Sequence, residues 1–547
     1  MDEKAKQLIA LAESEKQKAA NFRALYQEVA NLMYPVENQI TSVRTEGEDK
    51  SKDVRDPTGI IALDQATSGF LASWIPKDRE FFGIRIKDRK LAELPHVKQW
   101  TTLATQITHD ELFESNFLEQ IKQTIKSCIG FGTGCIYSEY NPDLRSLVFK
   151  DWHVSFFTIQ ENAAGRVDSV ILDYELTARQ LAQEFANPGA ACLKDASDLK
   201  TENNKYRILH IVRPRKERNV RLINNLNMPY ESIYINVKEQ HIIEEGGYEE
   251  FPFAVPRWER SSCEKYGRGR GTMMLSAVKE LQQMHRDFLE VANKWNNPPL
   301  ETVDAMIEGL IDMSPGARNH VYERDVIRPI NPNALGNFPI TVDVIKAQQD
   351  FIANKGFYND IFSQFRSLQG DRRVTLELEL RNQEGLDQLI TPVISMEAEL
   401  FNPLITRTIL LLIRNGRIPP APAELAGAEF AIDYMGKLAM AMKQYQARAF
   451  LQFAQIMLPL SQQFPETIDM ISMERAIPDI AIALGMKAEH MATEEELNQK
   501  RQARQQQLAQ MQLLNAAQTA AKAVKDTSKK PEEGSPAEEL LSSLSGA

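Results

Sequence analysis

The chain has 547 residues and a mass of 62.1 kDa, too long for one compact hydrophobic core, so we expect several structural regions of ordinary domain size. Lysine and arginine number 64 and aspartate and glutamate number 75, which gives a net charge of −11 at pH 7. This balance argues against a protein that binds nucleic acid over its whole surface and leaves room for local basic patches.

The first quarter of the chain is predicted to be largely helical. Residues 3–33 carry apolar side chains at three- and four-residue spacing and stop before Pro35, which is typical of an amphipathic helix. The polar stretch TSVRTEGEDKSKD then indicates an exposed loop. Helical spacing returns over residues 57–76, and residues 95–129 indicate one or two further helices. The charged amino end lacks the apolar stretch of a signal peptide, so we expect a soluble protein without membrane contact.

Residues 135–260 change to short β-rich runs, which predicts a sheet domain. One helix interrupts these strands, and its amino end carries the capping-box sequence Thr177-x-x-Gln180. Beyond it, residues 272–295 place apolar side chains in a narrow seam of near-heptad spacing. We therefore predict a helix that packs on its neighbours along one stripe.

A second helix of this kind is predicted over residues 341–365, with Gly356 marking a bend. The run VTLELEL that begins at Val374 alternates like a strand, yet its residues are strong helix formers, and we favour a helix. Pro392 and Pro403 predict that the helix up to residue 415 is kinked or broken.

The carboxyl-terminal part is predicted to be helical and then disordered. A Met- and Ala-rich helical region runs from residue 436 to about residue 485. Residues 493–525 are predicted to form a long, polar, Gln-rich helix. Its few apolar side chains could be buried only by a partner copy. The tail, residues 526–547, has the composition of a disordered segment.

The sequence GFGTGC at 130–135 raises the question of a phosphate-binding loop. Such a loop needs a strand, a glycine turn and then a helix, because the helix amino terminus supplies the amides that bind phosphate. Here the predicted helix precedes the glycines and the strand follows them. We therefore predict that Gly130 caps the helix, and that Gly132 and Gly134 occupy turn positions with positive φ or close backbone approach.

The second glycine-rich stretch, YGRGRG at 266–271, does precede a helix. Its two arginines, Arg268 and Arg270, make it an anion-site candidate beside the helix amino terminus. The interpretation that we favour is a tight turn that starts the seam helix, with both arginines solvated or paired at a subunit contact.

The sequence offers no catalytic constellation. Its eight histidines are scattered, and no nucleophile stands with a base near the glycine-rich stretches. The four cysteines form no C-x-x-C pair and no histidine pair stands at ligand spacing beside them, which predicts structural free thiols and no metal site. We expect no enzyme activity and no cofactor.

A series of stretches follows in a fixed order over about residues 55–445. They are DPTGIIALDQATSGFLASWIP followed by EFFGIRI, NFLEQIKQTIKSCIGFGTGCIYSEY, AGRVDSVILDYELTARQLAQEF, YGRGRG with a long helix that ends in NNPPL, RVTLELELRNQEGLDQLITPVISMEAELFNPLITRTILLLIRNGRIPP, and EFAIDYMGKLAMAMK. In this order they resemble the portal protein, or head-to-tail connector, of short-tailed bacteriophages. The run VTLELELR departs from the more Thr- and Ala-containing helix start of that family.

This resemblance implies an α+β, predominantly helical subunit in a ring of about twelve copies at one vertex of the capsid. Double-stranded DNA passes through the ring during packaging by the terminase motor and again during ejection. The implied protein partners are the terminase, a tail adaptor, and the major capsid and scaffolding proteins. The implied location is the virion, after assembly in the host cytoplasm.

The resemblance also assigns regions of the portal fold to the chain. They are the wing at 1–271 with its sheet-rich part at 135–260, stem helix 1 at 272–297, the clip at 298–340, stem helix 2 at 341–365, the channel loop at 366–373, a kinked wing helix and return strand at 374–435, the crown at 436–492, the helical barrel at 493–525 and the tail at 526–547.

Candidate site residues follow from these regions. The DNA-channel candidates are Arg366, Gln369, Arg372 and Arg373 in the channel loop and Lys279 and Arg286 on stem helix 1. The candidates for partner contact in the clip are Glu308, Asp312, Glu323 and Arg324. The channel-loop arginines have an alternative, structural role, in which they pair with stem carboxylates or cap the end of stem helix 2.

A conduit fits the net charge, because every phosphate neutralised by a cation adds affinity and a ring multiplies each contact. A channel in which DNA slides is therefore expected to carry few basic residues. The alternatives are an oligomeric nucleic-acid-binding protein of another kind and a nucleotide-dependent virion protein.

Overall fold

The computed structural model describes residues 3–43, 45, 47–76, 80–92, 94–219, 221–222, 224–296, 300–302, 327–329, 338–362, 391–425, 427, 429–435, 500 and 502–516. The chain divides into two compact units, Met1–Met442 and Lys443–Ala547. The first unit combines helices with antiparallel sheets, which confirms the predicted mixed fold. None of the described helices is long and apolar enough to cross a membrane.

The amino-terminal quarter is helical, as its apolar spacing predicts. Its helices are α1 (Glu3–Lys18), α2 (Ala20–Met33), α3 (Thr58–Trp74), α4 (Arg89–Ala92), α5 (Pro95–Glu114) and α6 (Phe117–Phe131). The predicted single helix over residues 3–33 is divided at Ala19. The two halves bury their apolar faces in different places, because α1 packs on a sheet while α2 joins the main helical core.

The sheet-rich region contains two antiparallel sheets. The five-stranded sheet has the order β4 (Phe157–Glu161), β5 (Val167–Thr177), β6 (Lys205–Pro214), β7 (Tyr230–Asn236) and β8 (His241–Tyr248). The three-stranded sheet has the order β3 (Ser146–Asp151), β2 (Ile136–Asn141) and β9 (Phe253–Ala254). Alternation assigns the faces of the larger sheet: Leu209 and Ile211 of β6 pack under α1, while Ile208 points to the opposite face.

Two short helices accompany β5 and β6. The predicted capping box is present at the start of α7 (Ala178–Glu184), where the Thr177 side chain accepts a hydrogen bond from the Gln180 backbone and the Gln180 side chain accepts one from Thr177. The helix α8 (Ala190–Ala196) was not predicted, because seven residues are too few to show a clear helical period.

The helix α9 (Arg270–Asn296) forms over the predicted seam, with Leu275, Val278 and Leu281 buried in the main core. The strands β10 (Leu300–Thr302) and β11 (Ile327–Pro329) pair antiparallel after it, and α10 (Phe338–Asp350) runs back along α9. This arrangement is a helical hairpin with a strand pair in its connection.

The predicted helix over residues 341–365 forms over its described residues with one interruption, just after the predicted bend. The helix α10 continues as a π-helical turn, Phe351–Gly356, and the helical path is then broken at Tyr358, which has a φ of 59°. The predicted bend at Gly356 is confirmed. Its Cα faces Met274 of α9, and a Cβ there would lie 3.0 Å from the Met274 side chain.

The last described elements of the first unit are a helix and a strand. A π-helical turn, Glu397–Phe401, leads into α11 (Asn402–Arg414), which agrees with the predicted kink. The strand β12 (Phe430–Tyr434) then pairs antiparallel with β1 (Phe82–Ile86). Trp74 anchors this corner, because its ring stacks on Phe401 at 4.7 Å and meets Tyr434 edge-on at 5.2 Å.

The second unit is described only at residues 500 and 502–516, which are helical and exposed throughout. Leu508, Met511, Leu513 and Leu514 each expose more than half of their surface. This exposure agrees with the predicted polar helix whose few apolar side chains find no burial within one copy.

Candidate functional site

The described channel candidates lie on one face of α9. Lys279 and Arg286 are seven residues apart, or about two helical turns, and both are exposed. The Lys279 Nζ lies 2.6 Å from the Glu28 Oε2 of α2, and both side chains are half exposed. The structure therefore holds Lys279 in a surface ion pair, which solvent screens.

The remaining channel and clip candidates lie outside the described residues. They are Arg366, Gln369, Arg372, Arg373, Glu308, Asp312, Glu323 and Arg324. Their predicted roles stay predictions.

The two arginines of the YGRGRG stretch have partners within the chain. The Arg268 guanidinium pairs with Glu264, four residues earlier in the chain, with nitrogen–oxygen distances of 2.6 and 2.8 Å. The Arg270 guanidinium donates to the Gly356 carbonyl at 2.6 Å and lies 4.3 Å from the Tyr358 ring centroid. Arg270 thus caps the end of the α10 hairpin arm, and these contacts favour the structural interpretation of the stretch.

The two glycine-rich stretches pack against each other, backbone on backbone. A Cβ at Gly132 would lie 2.3 Å from the Gly267 carbonyl oxygen and 2.4 Å from the Gly269 nitrogen. A Cβ at Gly271 would lie 2.4 Å from the Gly130 carbonyl oxygen. We call these five glycines the glycine contact. No side chain fits at this contact. The end of α6 and the start of α9 can approach this closely only because both segments carry glycine at the contact positions.

Backbone hydrogen bonds complete the glycine contact. The Trp258 N–H donates to the Gly132 carbonyl, and the Gly267 N–H donates to the Thr133 hydroxyl, both at 2.9 Å. These N–H and carbonyl groups therefore have hydrogen-bond partners within the protein. Both stretches are buried apart from Arg268 and Arg270. The arrangement supports the prediction that GFGTGC is structural.

The cap of α6 is Gly132, two residues beyond the predicted position. Gly132 has a φ of 105° and donates its N–H to the Cys128 carbonyl, whereas Gly130 is still helical. The prediction of Gly130 as the cap was therefore wrong, and that of a positive φ at Gly132 is confirmed. Gly134 makes the predicted close approach, since a Cβ there would lie 2.7 Å from the Thr124 carbonyl oxygen.

A fully buried arginine lies beside the glycine contact. Arg257 pairs with Glu161 of β4 and with Glu399 of the π-helical turn before α11. It also donates to the Lys265 carbonyl at 3.1 Å and the Gly165 carbonyl at 3.0 Å. We call Arg257, Glu161 and Glu399 the arginine cluster. Burial alone lowers the pKa of the guanidinium, but its bonds to Glu399 and then Glu161 outweigh burial and raise the pKa.

A buried carboxylate holds both arms of the α9–α10 hairpin to α3. Asp56 is 1% exposed, and its Oδ1 accepts from the Thr58 N–H at the start of α3. Its Oδ2 accepts from the Gln349 amide of α10 at 2.7 Å and lies 3.2 Å from the His285 Nε2 of α9. The Gln282 side chain of α9 also bonds the Asp56 backbone.

Sequence reasoning missed both Arg257 and Asp56. The order Asp-Pro-Thr before an apolar helical run is a cap signal that could have identified Asp56 as a helix-start residue. Nothing adjacent to Arg257 in the sequence indicates its burial, because its partners are supplied by distant segments.

The described residues contain no group of three or more His, Cys, Asp or Glu side chains that could hold a metal ion. All four cysteines are free thiols: Cys128, Cys135 and Cys192 are buried and Cys263 is exposed. Burial raises the pKa of the Cys128 and Cys135 thiols, which keeps both protonated. The structural role predicted for the thiols thus fits these buried cysteines.

Comparison with known proteins gives the family. The family model of bacteriophage head to tail connecting proteins matches residues 5–491. The chain is 23% identical over 529 residues to the portal protein of Salmonella phage epsilon15, with 94% of this chain and 93% of that protein covered. It is 25% identical over 495 residues to the probable portal protein of Bordetella phage BPP-1, with 88% of each covered.

The chain therefore belongs to the family of bacteriophage head to tail connecting proteins. This confirms the resemblance carried by the ordered sequence stretches. The family is named for a structural, connecting role in the phage particle.

Proposed function

We propose that this chain is a portal subunit that forms a ring of about twelve copies at one capsid vertex. DNA enters the head through the axis of the ring during packaging by the terminase and leaves by the same route. The observation that carries the proposal is the family match over residues 5–491. In this proposal the chain has no catalytic role and needs no cofactor.

The α9–α10 hairpin supports a ring. Its inner stripe is buried within one copy, but Leu289 of α9 and Val344 of α10 are 46% and 48% exposed, and Phe351 beyond α10 is 47% exposed. Val344 and Phe351 are seven residues apart and so share a helical face. Neighbouring copies in a ring would cover these side chains, which gives their exposure a physical reason.

The channel and clip assignments belong to the same proposal. The loop at 366–373 would supply Arg366, Arg372 and Arg373 for weak, transient phosphate contacts, with Gln369 beside them. The clip at 298–340 would contact the terminase and then the tail adaptor, and the wing would contact capsid and scaffolding proteins. Assembly would take place in the host cytoplasm.

The mass of the purified protein in solution tests the ring. We expect a particle of about 0.75 MDa, which corresponds to about twelve copies, and a cyclic class average in cryo-electron microscopy. A protein that stays a 62.1-kDa monomer at micromolar concentration would contradict the proposal.

The channel loop has its own test. Arg372→Ala with Arg373→Ala is expected to leave ring assembly and thermal stability unchanged and to lower the amount of genome retained after packaging. A double variant that fails to form rings, or that retains DNA like the parent, assigns these arginines to a structural role.

A further inference from the structure

The connection between β6 and β7 is a basic projection on an acidic protein. It carries Lys216, Arg218 and Arg221, all exposed, against one carboxylate, Glu217. The chain as a whole has a net charge of −11, so this local surplus of cations stands against the overall balance. A negative net charge does not exclude a local basic patch of this kind.

The base of the projection is neutral and fixed. Arg215 is 8% exposed and donates to the Met228 and Gly246 carbonyls at 3.2 and 2.7 Å. Arg213 pairs with Glu231 on the neighbouring strand β7. The cations at the base are therefore buried or paired within the fold, whereas Lys216, Arg218 and Arg221 at the tip are exposed to solvent.

The projection also has a defined shape. The Arg218 Nε donates to the Asn227 carbonyl at 2.9 Å, and the Asn219 N–H donates to the Asn227 side chain at 3.1 Å. On the inner side, Gly247 of β8 lets the returning segment approach, since a Cβ there would lie 2.6 Å from the Asn225 carbonyl oxygen. These contacts hold the Arg218 guanidinium and the backbone of the connection in place before any partner arrives, which lowers the entropy lost on binding.

Two exposed leucines lie in the same connection as the cations. Leu222 is 53% exposed and Leu226 is 51% exposed, although both lie in a turn region where polar residues predominate. Phosphate groups would be satisfied by the cations alone, whereas exposed leucines gain free energy only against an apolar surface. The combination favours a protein partner over a nucleic acid.

We propose that Lys216, Arg218, Arg221, Leu222 and Leu226, here called the basic tip, form a docking surface for an acidic amphipathic helix of another protein. Glutamates on the polar face of that helix meet the three cations, and its apolar face covers the two leucines. This surface belongs to the β6–β7 connection and not to the α9–α10 hairpin.

The chain provides a matched control surface around α8. Leu193 and Leu199 are 42% and 85% exposed, and the exposed lysines Lys194 and Lys200 lie beside them. Asp195 and Asp198 lie in the same segment and balance these lysines. The control surface thus has similar exposed groups but no net positive charge.

Fluorescence anisotropy of the purified full-length protein tests the proposal with two labelled probes. The first is a 20-residue peptide designed as a helix with glutamates on one face and leucines on the other, and the second is a 30-base-pair DNA duplex. We expect Leu222→Ser with Leu226→Ser, and separately Lys216→Glu with Arg218→Glu and Arg221→Glu, to weaken peptide binding by about tenfold or more. Leu193→Ser with Leu199→Ser, and Lys194→Glu with Lys200→Glu, are expected to leave it unchanged.

Three outcomes would overturn the proposal. In the first, the peptide binds no more tightly than a scrambled peptide of the same composition. In the second, the duplex binds more tightly than the peptide and loses affinity on charge reversal but not on Leu→Ser. In the third, the basic-tip variants change the mass of the particle, which would assign the tip to a contact between copies. Because the tip is exposed, we expect all variants to keep the circular dichroism spectrum of the parent, and the test does not depend on a portal role.

Discussion

The glycine contact and the arginine cluster lie next to each other where the sheet-rich region leads into α9, and they solve the same packing problem in opposite ways. At the glycine contact, two backbones meet because neither carries a side chain. At the arginine cluster, one large charged side chain fills the space and satisfies carbonyls and carboxylates from separate segments.

The two contacts are therefore disrupted by different kinds of substitution. The glycine contact is sensitive to any added atom, because its closest neighbours are backbone atoms that cannot move without moving a helix. The arginine cluster is sensitive to lost charge, because removal of Arg257 leaves Glu161 and Glu399 without their main partner in a desolvated site. The first contact is steric and the second electrostatic.

The largest effect is expected from Gly132→Ala. The new Cβ would meet two backbone atoms of the opposite stretch, at a φ that alanine rarely adopts, so we expect a loss of about 4 kcal/mol or more in the free energy of unfolding. Denaturant unfolding followed by circular dichroism measures it. Gly427→Ala, at a φ of 82° in open space, is the control and is expected to cost about 1 kcal/mol. Equal losses at both sites would show that φ and not packing governs Gly132.

A loss of about 3–5 kcal/mol in the free energy of unfolding is expected from Arg257→Met, because the partly buried carboxylates of Glu161 and Glu399 lose their main partner, the fully buried guanidinium. Adding Glu399→Leu is expected to recover part of this loss, since Glu161 still has the Arg260 guanidinium at 3.3 Å. Thermal unfolding of the single and double variants measures both effects. The control is Arg268→Met, which breaks only a half-exposed pair with Glu264 and is expected to cost less than about 1 kcal/mol.

A smaller, pH-dependent effect is expected at Asp151, which contacts Thr124 of α6. The Asp151 carboxylate accepts from the Thr124 hydroxyl at 2.6 Å, and burial, opposed by this bond, raises the pKa of Asp151 to about 7. A raised pKa contributes stability that is present below the unfolded value near 4 and is lost as the pH rises through 7.

Asp151→Asn removes this titration and keeps an acceptor for Thr124. We expect the variant to lie within about 0.5 kcal/mol of the parent at pH 4 and to exceed its free energy of unfolding by at least about 1 kcal/mol at pH 8, because the stability is lost between the unfolded and the folded pKa. Unfolding curves at the two pH values measure the difference. A variant that is less stable than the parent at pH 8 would show that Asp151 is ionised and stabilising in the fold.

The smallest effect is expected from Lys279→Ala. Its pair with Glu28 is half exposed on both sides, so we expect a change below about 0.5 kcal/mol in the free energy of unfolding, shrinking further in high salt. A thermal melt at low and high salt measures it. A loss as large as that of Arg257→Met would place Lys279 among the structural charges of the protein.

The sequence alone determined the elements whose apolar spacing repeats within one segment. The helices α3 and α9 follow their apolar stripes, the strands β5–β8 follow the β-rich runs within residues 135–260, and the start of α7 follows its capping box. At GFGTGC, the predicted helix precedes the glycines and the predicted strand follows them. This order in the sequence already argued against a phosphate loop. These features are local, because the helical and strand periods are properties of neighbouring residues.

Which distant segments meet depends on the packing of the whole chain. It brought Gly132 against Gly267, it buried Arg257 between Glu161 and Glu399, and it broke the path of α10 at Tyr358. Each of these depends on how closely two backbones approach and on which charges lose water together, and neither quantity is set by the residues adjacent in sequence. The sequence around a glycine or an arginine does not show whether that residue is exposed to solvent or buried. The packing of the whole core determines its burial.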